Sequence, residues 1–278
     1  MSIRSLVATQ SYSWHQVLEA EGKRYLEHLN DVFARVAASG IEGWEGSIAS
    51  KDEADTIGRL LKKHGLRTQS IYANSTLHTG DWRTSVDDVL RQARLARPLG
   101  VRVVVTNPNP IRWGGPENKS DEQLRTQAAA LQAMGEALSR EGMKLGYHVH
   151  APEMRASARE FHHMMLATDP AAVGLCFDAH WIYRGAENSQ VAMEDILKLY
   201  GDRIASLHVR QSRGGVWIET LDSGDVDYNP IVAALHTRGS FDGPIVMEIA
   251  REPGTAITMS AVEAHRQGRN WVREVFGV

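Results

Sequence analysis

Four short stretches carry the residue types that chemistry needs. They read Tyr147-His148-Val149-His150, Phe177-Asp178-Ala179-His180, Leu207-His208-Val209 and Met247-Glu248-Ile249. In each, a histidine or carboxylate stands among apolar residues. A lone histidine of this kind is more often a satisfied core residue than a ligand. Four such groups in succession are harder to bury, because each uncompensated ion costs several kcal/mol. A divalent cation removes that cost. A mixed nitrogen and oxygen donor set suits manganese, cobalt, zinc or iron better than calcium or magnesium. We therefore expect one divalent ion, manganese first, with cobalt, zinc, iron or magnesium as alternatives. Such an ion polarises a carbonyl and eases removal of the proton beside it.

The elements that must position these groups follow from periodicity. Apolar runs predict strands at Leu6 to Gln10, Ile41 to Glu45, Thr68 to Ala73, Val101 to Thr106, Leu145 to His150, Val173 to Asp178, Ile204 to Val209 and Pro244 to Ile249. Helical spacing predicts helices at Tyr25 to Ser39, Asp52 to His64, Val86 to Leu99, Ser120 to Glu141, Ala156 to Ala167, Met193 to Tyr200, Tyr228 to Arg238 and Thr258 to Val275. Gly65 and Gly100 stand where helices stop. Ser120 with Gln123 forms a capping box. Asn107 to Lys119 is rich in Pro and Gly and reads as a long loop. Eight strand–helix units in order predict an α/β fold, a single (β/α)8 TIM barrel over residues 1–278. Side chains alternate inward and outward along a barrel strand, so His148 and His150 share a face. No strand is followed by a Gly-rich phosphate loop.

Composition narrows the classes. The chain has 278 residues, 42% hydrophobic and 23% charged, with a formal net charge of −3. That is ordinary for a globular enzyme and argues against a nucleic-acid partner, which asks for a basic face. The single cysteine, Cys176, admits no intrachain disulfide and reads as a buried strand residue. No apolar run is long enough for a membrane span, and the N-terminus lacks the apolar core of a signal peptide. The expectation is a cytoplasmic protein with no membrane partner.

In order along the chain, several stretches resemble the xylose-isomerase-like barrel superfamily. That group includes sugar phosphate isomerases and epimerases, ketose 3-epimerases, inosose dehydratases and endonuclease IV. GIEGWEGS resembles an early strand of the family. YHVHAPEM is similar to the strand-five segment of the inosose dehydratases, and ATDPAAVGLCFDAHW to the strand-six segment. RIASLHVR, GDVDY and GPIVMEIAREP match the last two strands and the turn between them. The resemblance implies metal ligands at His148, Asp178, His208 and Glu248. It also implies a homo-oligomer, dimer or tetramer. The sequence departs from the family at His148, where epimerases carry Glu as one of two opposed acid/base groups. It departs again at Trp181, where many members have His, and at Arg210-Gln211, where a Lys-Asp pair is usual.

The implied reaction is removal of the proton α to the carbonyl of a keto-sugar or keto-cyclitol, giving a metal-stabilised enediolate. Reprotonation makes an epimer or isomer. Loss of a β-substituent makes a dehydratase or lyase, acting on a keto-inositol or a 3-keto-glycoside. His150 and Glu153 are candidate acid/base groups, with His180 and Glu248 beside them. Arg210, Asn107, Trp113, Trp181 and Glu45 are candidate substrate contacts. Two other classes are open: an abasic-site endonuclease, which needs more ligands and a basic face, and a non-catalytic sugar-binding barrel, which would lose ligands.

Overall fold

The computed structural model describes residues 5–239 and 241–278. Eight parallel strands form one sheet: β1 (Val7–Gln10), β2 (Gly43–Glu45), β3 (Ser70–Tyr72), β4 (Val103–Thr106), β5 (Lys144–Tyr147), β6 (Val173–Asp178), β7 (Ile204–Val209) and β8 (Ile245–Met247). Pairing runs β2-β1-β8-β7-β6-β5-β4-β3. The seam between β2 and β3 is bridged by a parallel pair at Gly43 and Arg67. Trp44 N–H donates to the Arg67 carbonyl at 2.9 Å, and Tyr72 N–H to that of Gly46 at 3.1 Å. The sheet is thereby drawn round into a nearly closed barrel, as the eight predicted units require.

Ten helices surround it among the described residues. They are α1 (Ser11–Ala20), α2 (Leu29–Ala38), α3 (Lys51–His64), α4 (Trp82–Ala96), α5 (Asp121–Arg140), α6 (Ala151–Ala167), α7 (Ala179–Gly185), α8 (Gln190–Tyr200), α9 (Asn229–Thr237) and α10 (Ala261–Phe276). Helix α3 stops at Gly65 in the left-handed conformation (φ 66°), and the Ser120–Gln123 capping box opens α5, both as predicted. Two short helices escape the periodicity. Helix α1 starts directly after β1 and α7 directly after β6, with Gln10 and Asp178 as side-chain caps. Helix α6 begins five residues before the predicted start. Its first turn is separated from the rest by Arg155 in extended geometry and by Ala156, Ser157 and Ala158 with positive φ. The sequence signal registered only the part beyond that break.

Most of the apolar core lies between strands and helices. A much smaller cluster stands apart from it: Val103, Val105, Cys176 and Ala205, with Tyr72 against it. Small side chains sit low in the barrel. A Cβ on Gly146 would lie 3.3 Å from the Cys176 Cβ and 3.6 Å from the Ser206 Oγ. Two residues further along each strand stand His148, Asp178 and His208. Alternation thus stacks a layer of polar groups on a layer of small ones.

Candidate metal centre and active site

His148 follows the last residue of β5, Asp178 ends β6, His208 is the penultimate residue of β7, and Glu248 follows β8. Strand register levels them. Asp178 pairs with His208, and His208 with Val246. The main chain continues the ladder past two strand ends. His148 N–H donates to the Thr106 carbonyl at 2.8 Å and Glu248 N–H to that of Val209 at 3.0 Å.

One donor atom from each of the four lies within 4.8 Å of the others, and all four residues are buried. His148 Nε2 is 3.2 Å from Asp178 Oδ2. His208 Nδ1 is 3.5 Å from Glu248 Oε2 and 4.0 Å from Asp178 Oδ2. The other Asp178 oxygen is committed elsewhere, accepting the Trp181 N–H at 2.8 Å to cap α7. Neither His208 ring nitrogen has a hydrogen-bond partner, although both are buried. Two imidazoles and two carboxylates, converging with an orphaned ring nitrogen among them, fit a divalent transition ion. Cys176 also comes near His148 and His208. Burial pushes its thiol up, so it stays protonated and offers a poorer donor than the carboxylates.

The surroundings fix these groups. Glu45 Oε1 lies 2.9 Å from His208 Nε2, on the ring edge away from the cluster. Ser70 Oγ donates to the other Glu45 oxygen at 2.5 Å. Glu45, expected beside the substrate, is fully buried and is placed behind His208, outside the cavity lining. A carboxylate in this place would orient the imidazole and raise its basicity if His208 held a metal ion. Arg210 clasps Glu248 through an Nη2–Oε1 pair at 2.6 Å, and its Nε donates to the Glu248 carbonyl at 2.9 Å. Its guanidinium lies 3.8 Å from the Trp217 ring centre. Burial works against an ionised Glu248, but the Arg210 charge and His208 hold its carboxyl well below the usual range. Asp178 is also held low despite burial, chiefly by its bond to His148.

A cavity of about 860 Å³ opens above this cluster. His148, His150, Glu248, Arg210, Trp113 and Trp181 line it, as their sequence positions suggested. His150 Nδ1 lies 2.8 Å from Asn107 Oδ1, and Asn107 Nδ2 donates to the His148 carbonyl at 3.0 Å. Because the amide NH2 is spent on that carbonyl, its oxygen must accept a proton from His150 Nδ1. The unprotonated nitrogen is then Nε2. Burial first, and His148 second, push the His150 pKa down to about 3, so the ring is neutral. Asn107 is buried outside the cavity. Its amide is bonded to His150 and to the His148 carbonyl.

Two other expected acid/base groups lie outside the cavity. Glu153 is fully buried in the first turn of α6, where its Oε2 accepts the His150 N–H at 2.7 Å. Burial first, and the nearby Glu160 second, push its pKa up to about 7. His180, in α7, turns away from the mouth. Its ring centre is 6.1 Å from that of Trp217 and 6.3 Å from that of Tyr183. Burial, and then the Arg210 charge, lower its pKa to about 3. Both residues are structural neighbours of the site.

Some lining residues went unmarked by sequence. Tyr72 ends β3 with its ring centre 5.5 Å from that of His148. Strand alternation was the available signal, since Tyr72 shares a face with Ser70. Trp217 stands on a two-strand hairpin (Ser212–Arg213 with Val216–Trp217), an insertion with no periodic signature. Gln211 holds that loop, its Nε2 donating to the Val226 carbonyl at 2.9 Å and its Oε1 accepting from Val226 N–H at 3.0 Å.

Together these features define a (β/α)8 barrel of the enzyme type, with a centre of four converging polar residues at the C-terminal mouth. The chain belongs to the xylose isomerase-like TIM barrel family, whose model matches residues 33–275. It is 23% identical over 246 residues to an inosose dehydratase of Lacticaseibacillus casei, covering 78% of this chain and 80% of that one. A D-allulose 3-epimerase from Methylomonas sp., solved with D-allulose, superposes with a TM-score of 0.73 at 18% identity, covering 99% of each chain. A 3-keto-D-glucoside 4-epimerase from E. coli superposes at 0.71 and 13% identity, covering 98% of this chain and 100% of that one. The relatives are enzymes, and this chain is an enzyme of the isomerase, epimerase or lyase kind. Among the described residues no helix is long and apolar enough to cross a membrane.

Proposed function

We propose that the protein removes the proton α to the carbonyl of a keto-sugar or keto-cyclitol, using His150 as the base. The observation that carries this reading is the Asn107–His150 pair, which leaves His150 Nε2 unprotonated in the cavity that Glu248 and Arg210 also line. His148, Asp178, His208 and Glu248 would hold one divalent ion, manganese first. Such an ion supplies Lewis acidity to a carbonyl and offsets the negative charge that builds on its oxygen.

The chain's own residues do the rest. Glu45 keeps His208 in one orientation. Arg210 keeps Glu248 ionised and in place. Trp181 and Trp217 keep water off the Arg210–Glu248 pair, which strengthens it. His150 takes the proton on the face it covers. Named relatives act on D-allulose, inosose and a 3-keto-glucoside, and all such substrates present a carbonyl beside a carbon bearing hydrogen and hydroxyl.

The later fate of the enediolate separates two readings. Epimerisation asks for a second acid/base group on the opposite face. Here Glu248 is the carboxylate available, and it is already bound to Arg210. Elimination asks for one base only, because the leaving group carries off the electron pair. That difference favours a lyase. The test is NMR in heavy water with manganese present, on keto-inositol, methyl 3-keto-glucoside and simple ketoses. Loss of the α-proton signal is expected for at least one, abolished in His150→Ala. No exchange on any of them would sink the reading.

A further inference from the structure

We infer that the outer part of this cavity is an aromatic subsite for a planar leaving group carried by the keto-sugar. The inference rests on the proton-abstraction reading and names its substrate class as an aryl keto-glycoside.

Size is the first argument. At about 860 Å³ the cavity stands near the top of the roughly 300–1,000 Å³ range of sites built for drug-sized ligands. A single six-carbon ring seated on His148, Glu248 and His150 leaves much of it empty. Composition is the second. Trp113 and Tyr12 both line the cavity, yet are 55% and 48% exposed. Folding gives no reason for either exposure, since neither is packed into the core. Trp113 stands on the loop after β4 and Tyr12 on α1 after β1, strands separated by two others in the barrel.

Preorganisation is the third argument. Trp113 Nε1 donates to Asn109 Oδ1 at 3.2 Å. Asn109 is itself tied to Thr76 Oγ1 at 2.9 Å and to the Ser75 carbonyl at 2.8 Å. The Trp113 ring centre is 5.3 Å from that of His150, edge on. A half-exposed indole held beside the base is a platform with one face unused. Arg155 lines the same chamber, and its Nη1 is buried and unpartnered.

The step balances without a co-reactant. The Cα–H bond breaks and His150 takes the proton. Its electron pair forms a C=C bond as the β C–O bond breaks. The aryl oxide leaves with that second pair and takes up one proton. The ketone must already be present, so a reaction that oxidises a sugar hydroxyl precedes this one.

The test measures binding of two unreactive probes, phenyl β-glucoside and methyl β-glucoside, to the metal-loaded protein by calorimetry. Phenyl is expected to bind about two- to tenfold more tightly, the range that aromatic pairs supply. The preference should fall to about one in Trp113→Ala, and fall partly in Tyr12→Ser, with circular dichroism checking that each variant folds. Equal affinity in the wild type, a preference that survives both substitutions, or no binding of either probe overturns the subsite. Exchange on keto-inositol with equal probe affinity leaves the proton-abstraction reading standing and the subsite refuted. A phenyl preference without exchange on any keto-sugar does the reverse.

Discussion

The two halves of the barrel mouth differ in kind. Strands β5 to β8 end in His148, Asp178, His208 and Glu248, which point at one another. Strands β1 to β4 end in or beside Gln10, Glu45, Tyr72 and Asn107, and the last three contact the first group or its neighbour His150. Gln10 caps α1, Glu45 backs His208, Tyr72 packs edge-on to His148, and Asn107 sets the His150 tautomer. The later half would hold the ion and the substrate. The earlier half fixes orientation. Charge is therefore concentrated where strands β6, β7 and β8 are adjacent, and a single sector of the mouth holds the converging ionisable groups.

That division is testable by removing one member from each side. Asp178→Asn should have the largest effect. It replaces a converging carboxylate, and metal content measured by elemental analysis should fall from about one equivalent to none, with activity lost. Retention of the metal would mean that Asp178 is not needed to hold it. His150→Ala should come next, lowering α-proton exchange by roughly 10²–10⁴-fold while metal content stays the same. A drop in metal content there would move His150 among the ligands. Glu45→Gln should come third, weakening metal affinity about 10–100-fold. If a chelator titration shows no change, the earlier half is packing and the comparison fails.

The sequence disclosed the later half far better than the earlier one. A charged residue among apolar neighbours is conspicuous, and His148, Asp178, His208 and Glu248 all stand in such runs. The eight strand–helix units were legible for the same reason, since periodicity marks burial. Glu45 and Asn107 were conspicuous too, but the structure places both behind histidines, outside the cavity lining. A polar residue at a strand end reads alike whether it faces a ligand or backs one, and only the direction of its hydrogen bonds tells. His180 shows the same limit, because its place in α7 depends on a cap that Asp178 provides. Trp217 and the left-handed turn at Ala156–Ala158 had no periodic trace at all.

The smallest expected effect concerns Glu153, which belongs to neither half but supports the His150 main chain from below. It is buried near Glu160, whose carboxylate is paired with Lys119 at 2.6 Å and accepts from Gln127 at 2.8 Å. Its pKa is pushed up from 4.5 to about 7, so the folded state binds a proton that the unfolded chain has released. Stability from this group is present below about pH 4.5 and is lost as pH rises toward 7. At pH 8 the folded protein carries a buried carboxylate at a cost of about 3.5 kcal/mol at most, from about 1.4 kcal/mol per pH unit between 4.5 and about 7. Glu153→Gln keeps an oxygen to accept the His150 N–H and removes the titration. The variant should match the wild type in urea unfolding at pH 5 and exceed it at pH 8, with His150-dependent exchange nearly unchanged. Equal stability at both pH values would show that Glu153 stays ionised in the fold, and that its carboxylate has a partner other than the His150 main chain.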